Sequence, residues 1–200
     1  MFGMRGLAVF IAGCLIASIG CAADKQPSAA QMMDDLMYGR GQIGGPFTLV
    51  DQTGKSRNDG EFRGKLMIVY FGYTFCPDVC PGDLQAITLA LDQLGSLAAK
   101  VQPVFITIDP ERDDKVLAEY VSAFHPSLIG LTGTPDQIRE VANSYKAFYT
   151  KVRDDRTGDY AIDHAGVIYL MGKDGKYLGF MPPQTAPDRL AEVLRTYLAD

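Results

Sequence analysis

Two cysteines, Cys76 and Cys80, are the residues of this 200-residue sequence whose type and spacing most clearly suggest chemistry. They lie four positions apart, after an apolar run at residues 66–71 and before an amphipathic helix pattern. Because Pro81 follows Cys80 directly, Cys80 is expected at or just before a helix N-terminus, where free N–H groups favour a thiolate. Such a pair can close into a disulfide or hold a soft metal ion. A short, inert disulfide is the alternative interpretation.

Two histidines, His125 and His164, are available as a further ligand. His125 lies between a helix pattern and Pro126, which favours a capping role at a helix C-terminus. His164 directly precedes an apolar strand pattern, and a purely structural histidine is the competing interpretation there. Two thiolates and one imidazole form a soft, three-coordinate set that suits Cu(I) and can expand to hold Cu(II), whereas zinc usually takes a fourth ligand.

Alternating strand and helix patterns must position these residues. Continuous apolar runs and turn signals predict strands at residues 66–71, 101–108, 165–171 and 177–181. Helix periodicity and capping signals predict helices at residues 84–94, 116–124, 134–145 and 185–197. This order predicts an α/β protein with a mixed central sheet and flanking helices, for which a thioredoxin-like fold is the closest match.

The N-terminus predicts export. Arg5 precedes an uncharged, largely apolar stretch, which is typical of an export signal. We expect residues 1–23 to be a signal peptide, a lipoprotein signal or an N-terminal membrane anchor, residues 24–42 to be a tether, and residues 43–200 to be the folded domain. In the lipoprotein alternative, Cys21 would be lipidated, although the preceding residues match a lipobox only loosely.

Charge and cysteine count exclude several classes of function. A formal net charge of -5 gives no electrostatic footprint for a nucleic-acid backbone. Of the four cysteines, Cys14 and Cys21 lie in the N-terminal segment, so the folded domain contains only Cys76 and Cys80. Two cysteines are too few for a four-thiolate zinc site or a disulfide-stapled scaffold. Because the loop lies outside the apolar runs, we expect serine at either position to leave the fold intact.

Several motifs together resemble the Sco/SenC family over about residues 43–199. They are GGPFTL at residues 44–49, FGYTFCPDVCP at 71–81, DPERD at 109–113, IGLTG at 129–133, and the Asp163–His164 pair before a strand. The resemblance implies a thioredoxin-like, copper-binding domain on the periplasmic side of the bacterial inner membrane, with Cys76, Cys80 and His164 as metal ligands. Phe75 departs from the family pattern, since many relatives have a polar residue or histidine there.

The same resemblance implies a metallochaperone that delivers copper to the CuA site of cytochrome c oxidase. The expected partners are the copper-accepting oxidase subunit, a periplasmic thiol reductant or another copper chaperone, and the membrane through the N-terminal segment. The alternative is a thiol-disulfide reductase that uses Cys76 and Cys80 as a redox pair to keep the target's copper-ligand cysteines reduced. A peroxidase with the same layout is disfavoured, because both cysteines lie within one loop. Whether the chain is an enzyme therefore stays open, with the metallochaperone favoured.

Overall fold

The structure is a computed structural model that describes residues 28–38, 42–153 and 159–199. The expected export segment at residues 1–23, with Cys14 and Cys21, lies outside the described residues. Parts of the expected tether, residues 24–27 and 39–41, also lie outside them.

A mixed seven-stranded sheet forms the centre of the described chain, in the order β2-β1-β5-β4-β3-β8-β9. Its strands are β1 (Thr48–Asp51), β2 (Ser56–Asn58), β3 (Leu66–Gly72), β4 (Val101–Thr107), β5 (Ile129–Thr132), β8 (Ile168–Met171) and β9 (Tyr177–Met181). β3, β4 and β5 run parallel to one another, whereas β8 pairs antiparallel with β3 and β9 with β8. The predicted mixed sheet is therefore confirmed.

The strands β3 and β4 are buried along their whole length, as their largely apolar sequences predict. They pair in register from Leu66 opposite Val101 to Gly72 opposite Thr107. The carboxyl ends of these two strands thus lie side by side, and the segments that follow them, which include both cysteines, leave the sheet at the same edge.

Helices flank the sheet: α1 (Ala29–Tyr38), α2 (Val79–Leu94), α3 (Pro110–Asp113), α4 (Leu117–Ser122), α5 (Pro135–Ser144) and α6 (Pro187–Ala199). Two short 3-10 turns, Asp59–Phe62 and Gly95–Lys100, connect other elements. The predicted capping box at the start of α5 is present: the Gln137 N–H donates to Thr134 Oγ1 at 3.2 Å, and the Thr134 N–H donates to Gln137 Oε1 at 2.9 Å.

The helix α1 packs on the domain rather than extending away from it. Met32 and Leu36 are buried, and Asp35 lies 3.7 Å from the ammonium of Lys146. Across residues 28–38, 42–153 and 159–199, none of the helices combines the length and apolar character needed to cross a bilayer.

A separate hairpin, not expected from the sequence, carries His164. Its strands are β6 (Tyr149–Arg153) and β7 (Tyr160–His164), which pair antiparallel with Tyr149 opposite His164. His164 is therefore the last residue of a strand that the sequence pattern did not predict. The strand predicted from residue 165 begins only at Ile168.

Candidate metal centre

The two cysteines occupy the junction between β3 and α2. The strand ends at Gly72 and the helix begins at Val79, so Cys76 lies in the connecting loop and Cys80 in the first helical turn. Cys76 is partly exposed, Cys80 is fully buried, and both are free thiols. The serine prediction assumed that the loop lies outside the apolar packing, and this assumption is wrong for Cys80, because this side chain belongs to the hydrophobic core.

The surroundings of the pair shift the pKa values of the two thiols in opposite directions. A hydrogen bond from the Cys80 thiol, helped by His164 and by N–H groups at the start of α2, lowers the pKa of Cys76 to about 3. One of these N–H groups, that of Cys80 itself, lies 3.4 Å from Cys76 Sγ. The same hydrogen bond and burial raise the pKa of Cys80. At neutral pH the pair therefore holds one thiolate, on Cys76, and one thiol, on Cys80.

The imidazole of His164 completes the arrangement. Its Nε2 lies 3.2 Å from Cys80 Sγ, and its Nδ1 accepts a hydrogen bond of 3.2 Å from the Gly166 N–H. Because a backbone N–H can only donate, Nδ1 is unprotonated and the neutral ring carries its proton on Nε2. The ring therefore donates to Cys80, whose own proton points to Cys76.

The three predicted side chains thus meet, with Cys76 Sγ, Cys80 Sγ and a ring nitrogen of His164 all within 4.8 Å of one another. Bonds from a metal ion to sulfur and nitrogen are about 2.0–2.3 Å long, so ligand atoms around one ion lie roughly 4 Å apart. The cluster matches that separation with little movement. The other histidine is not involved, since His125 Nδ1 pairs with Ser127.

Buried side chains next to the three candidate ligands support their arrangement, and the sequence analysis did not identify these supporting residues. Asp83 is fully buried; its carboxylate accepts from the Tyr70 hydroxyl at 3.0 Å and from the Gln184 N–H at 2.7 Å. Burial raises the pKa of Asp83. The rings of Tyr70 and Tyr73 both meet the His164 ring edge-on, with centroids 6.3 and 6.0 Å away. These contacts hold the imidazole beside the thiols.

Gly72 lies close to the sulfur of Cys80. A Cβ added at this position would lie 2.9 Å from Cys80 Sγ, 2.9 Å from the Tyr70 ring and 3.0 Å from the Phe105 ring. The space beside the buried sulfur therefore exists because residue 72 has no side chain. A glycine at the end of an apolar strand is the only sequence signal for this feature.

Phe75 forms the outer edge of the site. It is 56% exposed, and its ring lies 5.1 Å from the guanidinium carbon of Arg112. The departure from the family pattern noted at this position therefore leaves the three candidate ligands in place and puts a solvent-exposed aromatic residue next to Cys76 in the chain.

The donor set fits a soft metal ion. Two sulfurs and one imidazole nitrogen suit Cu(I), and the set leaves coordination positions free for ligand exchange. An ion bound here would replace the hydrogen bond between Cys80 and His164, so Cys80 would lose its thiol proton and the ring proton would move from Nε2 to Nδ1. The alternative chemistry, closure of the two sulfurs into a disulfide, uses the same pair.

Comparison with known proteins gives a consistent picture. A family model described as SCO1/SenC matches residues 37–199. An SCO2-like protein of Rickettsia prowazekii is 41% identical over 168 residues, which covers 83% of this chain and 81% of the relative. The human mitochondrial SCO1 homolog is 34% identical over 191 residues, which covers 94% of this chain. The match spans 64% of the length of that human protein.

The structural comparison includes a metal-bound relative. The structure of Bradyrhizobium japonicum ScoI with copper bound superposes with a TM-score of 0.72 at 43% sequence identity, covering 78% of this chain and 99% of that one. The described fold is therefore that of the Sco proteins, and the predicted thioredoxin-like α/β class is confirmed.

Proposed function

The chain belongs to the SCO1/SenC family, and from that premise we propose that it is a copper metallochaperone for the assembly of cytochrome c oxidase. In this proposal Cys76, Cys80 and His164 hold Cu(I), with Cu(II) as a second cargo. The recipient is the CuA site of the copper-accepting oxidase subunit.

The observation that carries the proposal is the convergence of the three soft donor atoms within 4.8 Å. His164 lies 84 positions from Cys80 in the sequence, and the hairpin that carries it packs against the cysteine loop. A redox pair alone does not need this imidazole, whereas a three-coordinate copper site does.

The protonation pattern supports reversible binding. Cys76 is already a thiolate at neutral pH, so it can take up copper without first losing a proton. Cys80 still carries its proton, and the release of that proton on metal binding couples copper affinity to pH. The partial exposure of Cys76 leaves one ligand accessible to a recipient that exchanges copper through an incoming thiolate.

The location follows from the expected N-terminal segment. We propose that residues 1–23 direct the chain to the periplasmic side of the bacterial inner membrane, or anchor it there, and that residues 43–200 act as the copper-binding domain. A periplasmic thiol reductant or another copper chaperone would supply the reduced or loaded form.

A second function, thiol-disulfide reduction, is favoured by the separate protonation of the two cysteines. The Cys76 thiolate would attack a sulfur of the target disulfide and form a mixed disulfide, releasing one target thiolate. The Cys80 thiol would then lose its proton and attack Cys76 Sγ. This step expels the second target thiolate, leaves the target as a dithiol and leaves this chain with a Cys76–Cys80 disulfide.

The test presents the chain to a soluble CuA domain whose two copper-ligand cysteines are either reduced or joined in a disulfide. A metallochaperone loads the reduced domain with copper, and His164→Ala abolishes loading while His125→Ala does not. A reductase instead converts the oxidised domain to dithiol, and His164→Ala leaves that conversion intact. Wild-type loading by His164→Ala would overturn the three-ligand chaperone.

A further inference from the structure

In the part of the chain that the structure describes, the hairpin that carries His164 is not paired with a strand of the central sheet, although Ile162 on β7 packs into the hydrophobic core. Among the described residues, β6 and β7 pair only with each other. The position of His164 relative to the cysteines therefore depends on side-chain contacts between this hairpin and its neighbours.

Arg112, on the short helix α3, makes several of those contacts. Its guanidinium carbon lies 3.7 Å from the centre of the Tyr160 ring, on β7. Its Nη1 donates to the Tyr160 carbonyl at 3.1 Å and to the Asp159 carboxylate at 3.2 Å. Arg112 thus holds the start of the strand that ends at His164.

Asp109 provides a second link between Arg112 and Tyr160. Its fully buried carboxylate accepts from Arg112 Nε through one oxygen and from the Tyr160 hydroxyl, at 2.8 Å, through the other. Lys151, on β6, also lies near the Tyr160 ring, with its ammonium 4.5 Å from the ring centre. A buried carboxylate requires such partners. Through the contacts of Asp109, Arg112 and Lys151 with Tyr160, both hairpin strands are linked to α3.

The same helix also contacts the cysteine loop. Asp113 accepts from the Thr74 N–H at 3.0 Å and from the Thr74 hydroxyl at 2.6 Å. The guanidinium of Arg112 lies against the ring of Phe75, next to Cys76. The helix α3 therefore joins the cysteine loop on one side to the histidine hairpin on the other.

We propose that Arg112 is a positioning residue that sets the distance between His164 and the two thiols through its contacts with Tyr160 and Asp109. The inference rests on the copper-binding function proposed above. Arg112 touches neither the sulfurs nor the imidazole, and it acts on the third ligand through the hairpin. Lysine cannot replace it, because an ammonium has no planar fork to donate to Asp109 and Tyr160 together while stacking on the ring.

The test compares Arg112→Lys, which keeps a cation near Asp109, with Arg57→Lys. Arg57 also pairs with a buried carboxylate, Asp51, but on the far edge of the sheet. Cu(I) affinity is measured by competition with a chromogenic chelator, in the wild-type and His164→Ala backgrounds. We expect Arg112→Lys to weaken binding about 10–100-fold, as loss of supporting groups around metal ligands commonly does, and Arg57→Lys to have no effect.

The double variant decides between positioning and a general structural role. If Arg112 acts through His164, adding Arg112→Lys to His164→Ala causes no further loss of affinity. Tyr160→Phe, which keeps the stacked ring, should lose less affinity than Arg112→Lys. An equal loss in both backgrounds, or unchanged affinity in Arg112→Lys, would overturn the proposal.

A measurement on the metal-free chain tests the positioning role of Arg112 independently of the proposed copper-binding function. In nuclear magnetic resonance spectra, the proximity of the His164 and Tyr73 rings should give cross-relaxation signals in wild type and Arg57→Lys that weaken in Arg112→Lys. If wild type binds no copper, the proposed function fails and these signals alone decide the positioning role. Unchanged signals in Arg112→Lys would refute it.

Discussion

Replacing Gly72 with alanine should weaken copper binding, because the new methyl group would displace the sulfur of Cys80. The new Cβ would lie 2.9 Å from Cys80 Sγ, where ordinary contacts begin at 3.4 Å, so the sulfur must retreat by roughly 0.5 Å. Metal sites tolerate deviations of about 0.2 Å in ligand distance. We therefore expect Cu(I) affinity to fall at least about tenfold, and overpacking to cost about 1–3 kcal/mol of folding free energy.

The assay pairs chelator competition for Cu(I) with thermal unfolding of the metal-free chain. Gly82→Ala is the matched control, because its Cβ would meet no atom within 4 Å and it lies in the helix α2, where alanine is favoured. A folded Gly72→Ala variant with wild-type copper affinity would refute the reasoning, since Cys80 would then not need its present position to bind the metal.

Four further predictions concern the three proposed ligands. Because the pKa of Cys76 is lowered to about 3, its alkylation rate in the reduced, metal-free chain should stay nearly constant between about pH 5 and pH 8, where an ordinary thiol gains roughly tenfold per pH unit; such a tenfold rise would contradict the assignment. Nitrogen chemical shifts should show the His164 proton on Nε2 in the metal-free chain and on Nδ1 once Cu(I) is bound, with loss of the Gly166 hydrogen bond; a proton on Nδ1 before loading would be inconsistent with the geometry. Oxidation of the pair to a disulfide should abolish copper uptake, and equal uptake by oxidised and reduced chains would exclude a two-thiolate site. Serine at Cys80 should lower the unfolding temperature more than serine at Cys76, because only Cys80 is fully buried; equal unfolding temperatures would show that this burial adds no stability.

The elements that place the cysteines were predictable because their sequences are strongly patterned. The strands β3 and β4 are largely apolar on both faces, which is typical of strands that are buried on both faces. Pro81 after Cys80 marks the first turn of α2 in the sequence, and the helix begins two residues earlier, at Val79.

The hairpin that positions His164 was not predictable in the same way. In β6, Tyr149 is half-buried and the next four residues are exposed, so the strand lacks the alternation of apolar and polar residues that identifies a half-buried strand. The strand is stabilised by pairing with β7 and by contacts to α3, and neither is encoded in the local sequence. The proximity of His164 to the cysteines is therefore a property of the tertiary structure.

The buried carboxyl groups around the site could also not be predicted from the sequence pattern. Asp83, Asp109 and Asp113 are fully buried, although aspartate is ordinarily an exposed residue. Each is accommodated by partners from distant parts of the chain, such as the Tyr70 hydroxyl for Asp83 and the Tyr160 hydroxyl for Asp109. Only the folded chain shows that these carboxylates line or support a site.

X-ray absorption spectroscopy of the reduced chain loaded with one equivalent of Cu(I) tests the central claim most directly. Cys76, Cys80 and His164 as joint ligands predict two sulfur scatterers and one imidazole nitrogen around the metal, with the nitrogen absent in His164→Ala. A copper site with only sulfur ligands in the wild-type chain, or a spectrum that His164→Ala leaves unchanged, would contradict the account.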